Sequence, residues 1–348
     1  MAKIHVFAST AHPRKPHHAA YLDAFYRSLR DAGEDVEWVL GGYRACDIAV
    51  AYGYDAGEGP ERVQGGYRAC DIAAVNDYPK TGRQSAWACR AVHAQHIGPV
   101  VIVESPFLGR TPYIENNGIR AFIRRIRGKR NVVDQHPYSR IGIDGTFQDD
   151  ADFCNAGSPA DRWNLLSREF GLELRPYRTT GSHVLIVGQK PGDASLRGCN
   201  IVDWMIDMVT EVRRYTDRPI VVRAHPASLP TDFQKMKKAF GANRNVRLDI
   251  PPTGTINDAL RDCWTAVTYS SSAAINALLN GIPAISMLPA SMAWPVTDHD
   301  LSKVENPTLH EREQWLYDLC YAQWSVEETA RGMVWARLKD KLLQKLNQ

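Results

Sequence analysis

Between His183 and Met287 short apolar runs alternate with amphipathic segments without a break, and this alternation constrains the fold more than any other feature of the chain. His183–Gly188 (HVLIVG), Pro219–Arg223 (PIVVR), Val246–Asp249, Trp264–Tyr269 (WTAVTY) and Pro283–Met287 read as strands. Asn200–Tyr215, Thr231–Phe240, Thr255–Cys263 and Ser270–Asn280 read as the helices between them. In the first of these, Ile201, Trp204, Met205, Met208 and Val212 recur at helical spacing. Strands that are apolar on both faces and separated by single helices belong to a parallel sheet covered on both sides. Such sheets bind ligands beyond the carboxyl ends of their strands.

The first half repeats the pattern less cleanly. Lys3–Ala8 reads as a strand, His18–Ala32 as a helix stopped by Gly33, Val36–Leu40 as a strand and Pro99–Glu104 (PVVIVE) as a buried strand. GGYRACDIA occurs at Gly41–Ala49 and, unchanged, at Gly65–Ala73, 24 residues on. The period does not continue, which excludes a solenoid. One copy is expected to supply a sheet strand and the other an inserted loop. Gln314–Leu346 reads as a helical tail. The expected organisation is therefore residues 1–175 as one Rossmann-like α/β domain, 176–310 as a second facing it across a cleft, and 311–348 as C-terminal helices packing back on the first.

Composition narrows the function classes. A net charge of +3 on 348 residues argues by itself for neither nucleic acid nor membrane. No run approaches the ~20 apolar residues of a membrane span, and the amino-terminal residues lack the apolar core of a signal peptide, so a cytoplasmic location is expected. The seven cysteines form no CxxC pair and read as reduced thiols, mostly buried. Metal-binding HxxxH and HExxH spacings are missing, so no metal is expected, and His17–His18 reads as a solvated loop. Neither the G-x-S-x-G elbow of serine hydrolases nor a P-loop is present.

Three groups of polar residues fall at strand ends of the second half. The first is VGQKPGDAS, where Gly188 admits close approach of a ligand and Gln189, Asp193 and Ser195 offer polar tips. The second is Arg223-Ala224-His225-Pro226, in which Arg223 and His225 are suited to a phosphate and Pro226 fixes the turn. The third is Ser270-Ser271-Ser272, at the start of a helix, where hydroxyls and free amides make an anion site. Each alone also fits an ordinary capped turn. Together they fall on consecutive strand ends, which directs them toward one cleft.

HVLIVGQKPGDAS, RAHP and SSSAAINALLNGIPAI, in that order, resemble the capsule-polysaccharide-synthesis family of glycosyltransferases, which includes the bacterial Kdo transferases. Gln189, Asp193, Ser195, His225, Pro226, Ser271 and Gly281 match its pattern, over roughly residues 183–287. Ala224 departs from it, since a proline usually stands there. FCNAGSPADRWNLLSREFGLELRPYRTTGSHVLIVGQKPGDAS also resembles phage-encoded glycosyltransferase-like proteins. The resemblance implies the GT-B fold and a UDP- or CMP-linked sugar as co-substrate, with no bound cofactor or metal. It places the donor on the second half and the acceptor on the first.

For a base that deprotonates the acceptor, Glu104 at the end of VVIVE is the first candidate and Asp144 the second. Either also fits a structural acid. Arg110 follows in the same half, and Arg120, Arg124, Arg125, Arg127, Lys129 and Arg130 crowd together after it. They read either as a solvated helix face or as a phosphate-tracking patch. With the phage resemblance, the patch suggests sugar transfer to a 5-hydroxymethylpyrimidine in double-stranded phage DNA. The alternatives are transfer to a capsule or other cell-surface glycan, and a protein that binds nucleotide or nucleic acid without turnover.

Overall fold

A computed structural model describes residues 2–8, 16–40, 48–52, 72–76, 98–109, 137–240 and 243–347. The chain divides into two compact units. One comprises Met1–Thr146, Asp150–Ala156 and Leu319–Gln348, and the other Phe147–Asp149 and Gly157–Asp318.

The first unit holds a seven-stranded sheet. Its strands are β1 (Lys3–Ala8), β2 (Asp35–Leu40), β3 (Ile48–Tyr52), β4 (Ile72–Asn76), β5 (Val100–Glu104), β6 (Tyr138–Ile143) and β12 (Gln323–Ser325), in the order β12-β6-β5-β4-β3-β1-β2. Helix α1 (Pro16–Asp31) links β1 to β2. It begins earlier than expected and takes His17 and His18 into its first turn, which corrects their reading as a loop. Both copies of the duplicated nonamer end in strands. β3 and β4 pair in parallel with Val50 opposite Ala74, the spacing of the repeat itself. The expectation of one strand and one inserted loop is corrected: identical sequence has identical strand preference, and both copies find a place in the sheet.

Two strands of this sheet were not legible locally. β6 runs antiparallel to β5, and β12 antiparallel to β6. β12 interrupts the expected helical tail, which consists of α7 (Glu313–Cys320), β12, α8 (Val326–Ala330) and α9 (Met333–Leu346). Val334, Trp335, Leu338 and Leu342 of α9 share a core with Tyr21, Leu22, Phe25 and Leu29 of α1. Outside that core, Glu34 accepts from Trp335 Nε1 (3.1 Å) and Lys339 Nζ (2.6 Å).

The second unit holds β7 (His183–Val187), β8 (Ile220–Arg223), β9 (Val246–Asp249), β10 (Cys263–Thr268) and β11 (Ala284–Ser286), all parallel, in the order β11-β10-β7-β8-β9. The chain winds from β7 outward through β8 to β9, then crosses back to β10 and β11. The point of reversal therefore lies between β7 and β10, where doubly wound sheets take ligands. Helix α2 (Asp161–Phe170) precedes the sheet and ends at Gly171 in the left-handed conformation. Helices α3 (Ile201–Arg213), α4 (Pro230–Phe240), α5 (Ile256–Ala259) and α6 (Ala273–Leu279) make the crossovers. Asn200 caps α3 by accepting from the Val202 and Asp203 amides. α5 is shorter than expected because β10 begins at buried Cys263, paired to His183. No described helix is long and apolar enough to cross a membrane.

Candidate functional site

The three motifs of the second half follow β7, β8 and β10, the three adjacent central strands. Val187 stands opposite Arg223 on one side and Thr268 on the other. The segments starting at Gly188, Ala224 and Tyr269 therefore leave the same edge of the sheet side by side.

At the reversal point the loops after β7 and β10 are tied together by their own side chains. Buried Gln189 donates from Nε2 to the hydroxyls of Ser195 (2.6 Å) and Ser270 (3.0 Å), and its Oε1 accepts from the Ser270 amide (3.1 Å). Ser270 Oγ donates to the Ser195 carbonyl (2.8 Å), and Ser195 Oγ to Asp193 (2.7 Å). Asp193 also caps the short 3-10 turn Ala194–Leu196 through the Ser195 amide. Buried polar groups that satisfy one another in this way rigidify a loop pair. Gln189, Asp193, Ser195 and Ser270 thus form the frame of the site. Gly188 belongs to the same frame: a Cβ there would stand 2.6 Å from Met205 Sδ. α3 therefore packs close against this glycine, and a side chain there would have to displace the end of Met205.

The expectation that Arg223 holds a phosphate is corrected. Its side chain is 7% exposed and pairs with Asp249. It also donates to the carbonyls of Thr253 (2.8 Å) and Gly254 (2.9 Å). A fork engaged by one carboxylate and two carbonyls fastens β8 to the segment after β9.

The remaining polar groups are less committed to the frame. His225 is half-buried, and its Nδ1 accepts from the Ala227 amide (3.0 Å). In the neutral ring the proton then sits on Nε2, which becomes a donor. Exposed Pro226 is the second residue of a turn closed by the Ser228 amide on the His225 carbonyl (3.0 Å). Ser271 and Ser272 are half-buried. Ser271 accepts the Ala273 amide on Oγ (3.3 Å) and the Ala274 amide on its carbonyl (3.1 Å), so the start of α6 is largely self-capped. Sequence reasoning missed Lys190. It is exposed at the first position of the Lys190–Asp193 turn, in which Gly192 takes φ +73°. Among the described residues it makes no ion pair. Its place in GQKPGD was visible, but nothing local set it apart from a surface lysine. The buried hydroxyls of Ser228, in the turn after β8, and of Thr268, the last residue of β10, have no partner among the described residues. No sequence signal marks such a vacancy.

A groove lined by Arg213, Thr216, Arg218 and Glu305 opens at the opposite, amino end of this sheet. Its arginines are engaged by the protein itself. Arg218 pairs with Glu305 (3.1 Å), and Arg213 donates to the carbonyls of Thr216 (2.9 Å) and Arg218 (3.0 Å).

In the first unit, the two candidate bases part company. Glu104 closes β5 at its carboxyl end, half-buried, with Oε1 accepting the Ser105 amide (2.8 Å). Asp144 lies at the amino end of the same strand, because β6 runs antiparallel to β5. Its Oδ1 accepts the Val100 amide (2.8 Å) and its Oδ2 pairs with Lys345 (2.8 Å). At about 3.3 Å per residue the two ends of β5 are roughly 13 Å apart. Asp144 is a structural acid at the wrong end of the sheet for a ligand, which corrects its candidacy. Arg110, Arg120, Arg124, Arg125, Arg127, Lys129 and Arg130 lie outside the described residues. Among the described residues no three His, Cys, Asp or Glu side chains gather as a metal site.

No family model matches the chain, and no curated protein does. Among solved structures it resembles Thermosulfurimonas dismutans KpsC, a β-Kdo 2,4 transferase, with a TM-score of 0.53 at 15% identity, over 92% of this chain and 90% of that one. The β-Kdo 2,7 transferase of the same organism's KpsC gives 0.45 at 12% identity, over 97% of this chain and 100% of that one. The first likeness extends over nearly the whole of both chains and establishes a Kdo-transferase-like α/β fold of the GT-B type.

Proposed function

We propose that this chain is a glycosyltransferase that moves a sugar from a UDP- or CMP-linked donor to a hydroxyl of a capsule or other cell-surface glycan. The observation that carries the reading is the convergence of the GQKPGD, RAHP and SSS segments on three adjacent parallel strand ends, at the reversal point of the second sheet. The whole-length likeness to a Kdo transferase supports a glycan acceptor. Transfer to a hydroxymethylated pyrimidine draws no support from that likeness, and its arginine run lies outside the described residues.

In this reading Gln189, Asp193, Ser195 and Ser270 hold the loops, while His225 Nε2, Lys190 and the Ser271–Ser272 turn meet the donor phosphates. Arg223 acts only through the frame. Glu104 accepts the proton of the acceptor hydroxyl. The acceptor oxygen then bonds to the anomeric carbon, and the bond from that carbon to the phosphate oxygen breaks. The nucleotide leaves with the electron pair, its charge met by Lys190 and His225.

The test is release of free nucleotide from a panel of UDP- and CMP-sugars, with and without bacterial polysaccharide acceptors. Release should rise with acceptor. His225→Ala and Lys190→Ala should each weaken binding of the spent nucleotide about tenfold, as loss of a charge-assisted contact does. Binding of nucleotide without release would instead favour a non-catalytic binder. Sugar appearing on hydroxymethylcytosine DNA, and on no glycan, would restore the DNA acceptor.

A further inference from the structure

At the carboxyl end of β5 three polar residues stand in one cross-strand row. Glu104 is opposite Arg140 of β6, and Arg140 is opposite Gln323 of β12. Residues directly opposite in an antiparallel pair project to the same face. Arg140 and Gln323 are buried, Gln323 completely. Burying an uncharged amide on a short strand is costly unless its hydrogen bonds are made.

Gln323 makes them to the segment that follows Glu104. Its Oε1 accepts both the Phe107 amide (3.0 Å) and the Leu108 amide (2.9 Å), and its Nε2 donates to the Leu108 carbonyl (3.3 Å). Phe107, fixed by that clamp, lays its ring under the Arg140 guanidinium at 4.7 Å. A second ring, Phe153, meets Phe107 edge-on at 6.2 Å. One side chain thereby holds the backbone just past Glu104 and, through Phe107, the cation next to Glu104 in the row.

The geometry points to Gln323 as a positioning residue for Glu104. It comes from a strand more than two hundred residues away in sequence and touches no reacting atom in this account. Its task is to keep the Glu104 carboxylate and Arg140 in fixed relation, so that the carboxylate meets the acceptor hydroxyl in one orientation. A displacement on the order of 1 Å at such a group costs about a hundredfold in rate. The inference rests on the proposed role of Glu104 as base.

The experiment compares Gln323→Leu, Gln323→Glu and Glu104→Gln in the full chain. It measures nucleotide release from the UDP- and CMP-sugar panel, affinity for UDP and CMP, and hydrogen exchange of the Phe107 and Leu108 amides. Gln323→Leu should lower kcat at least about tenfold, with donor KM and nucleotide affinity unchanged, and should speed exchange at both amides. Gln323→Glu keeps both acceptor bonds and should recover most of kcat and of the protection. The proposal is overturned if the leucine variant leaves exchange at 107 and 108 unaltered, if it leaves kcat unaltered, or if kcat and nucleotide affinity fall together. Full turnover by Glu104→Gln would instead remove the base assignment itself, whatever the clamp does.

Discussion

The two sheets reach order by different routes. In the second unit each strand but the last is followed by a helix that leads to the next strand, and the whole sheet is built from one continuous stretch of chain. In the first, the sheet is completed at one side by an antiparallel strand and by a three-residue strand from the far end of the chain. The carboxyl ends differ likewise. Those of the second sheet are braced by a polar frame in which Gln189 meets Ser270, 81 residues on and within the same run of crossovers, while that of β5 is braced by Gln323, 216 residues from the Phe107 it holds. A unit built from adjacent crossovers should therefore withstand changes elsewhere in the chain, and one closed by its terminus should not.

The sharpest way to break this contrast is at its two anchor points. Arg223→Ala removes the buried cation from half-buried Asp249 and the donors from two carbonyls, and should destabilise the second unit by about 3–5 kcal/mol. Denaturation followed by a probe in that unit checks it, and a loss confined to nucleotide affinity would show Arg223 to be a ligand contact after all. In the first unit Trp335→Ala opens the α1–α9 core and should cost about 3–5 kcal/mol. The second unit's own transition should stay in place. Movement of both transitions together would erase the distinction between the units.

Excision of residues 41–64 sharpens the same contrast. It removes one copy of the nonamer and joins Leu40 to Gly65. β4 already pairs with β1, Ile4 opposite Ile72 and His5 opposite Ala73, besides the pairing of β1 with β3. The shortened chain should fold, with circular dichroism and melting close to those of the parent. Collapse of the first unit would show that both strands are indispensable.

The smallest expected effect is one of pH. His183 is buried at the start of β7, and burial, aided by the charge of Arg247, pushes its pKa below the ordinary histidine value. The unfolded chain then binds a proton that the folded one refuses. The stability His183 confers is complete above about pH 6.5 and declines as pH falls through that value. His183→Phe should flatten this acid slope of the second unit's melting temperature, and an unchanged slope would assign it to other groups.

The strands and helices of residues 183–287 were legible because each is a contiguous run whose periodicity reports its own environment. The sequence put the three motifs at strand ends, but that the first and third lie side by side follows from the return of the chain from β9 to β10 beside β7. β6 and β12 were not legible: β6 (YSRIGI) is punctuated by Pro137 and by Asp144-Gly145, but Ser139, Arg140 and Gly142 break up its apolar residues, and β12 is too short to show a period of two. The site was half legible. Sequence placed Gln189, His225 and Ser270 at strand ends, but not which of them the protein keeps for itself.

The amino-acid sequence by itself determined the α/β class, the strand–helix alternation of the second half and the candidacy of Glu104, because chain-local patterns of apolar and polar residues suffice for these. Tertiary structure alone decided that Arg223 is consumed by Asp249, that Asp144 sits at the opposite end of β5 from Glu104, and that Gln323 reaches the loop beyond it. Each of these depends on strand direction or on a partner distant in sequence, and a side chain's availability is set by the groups that surround it in space.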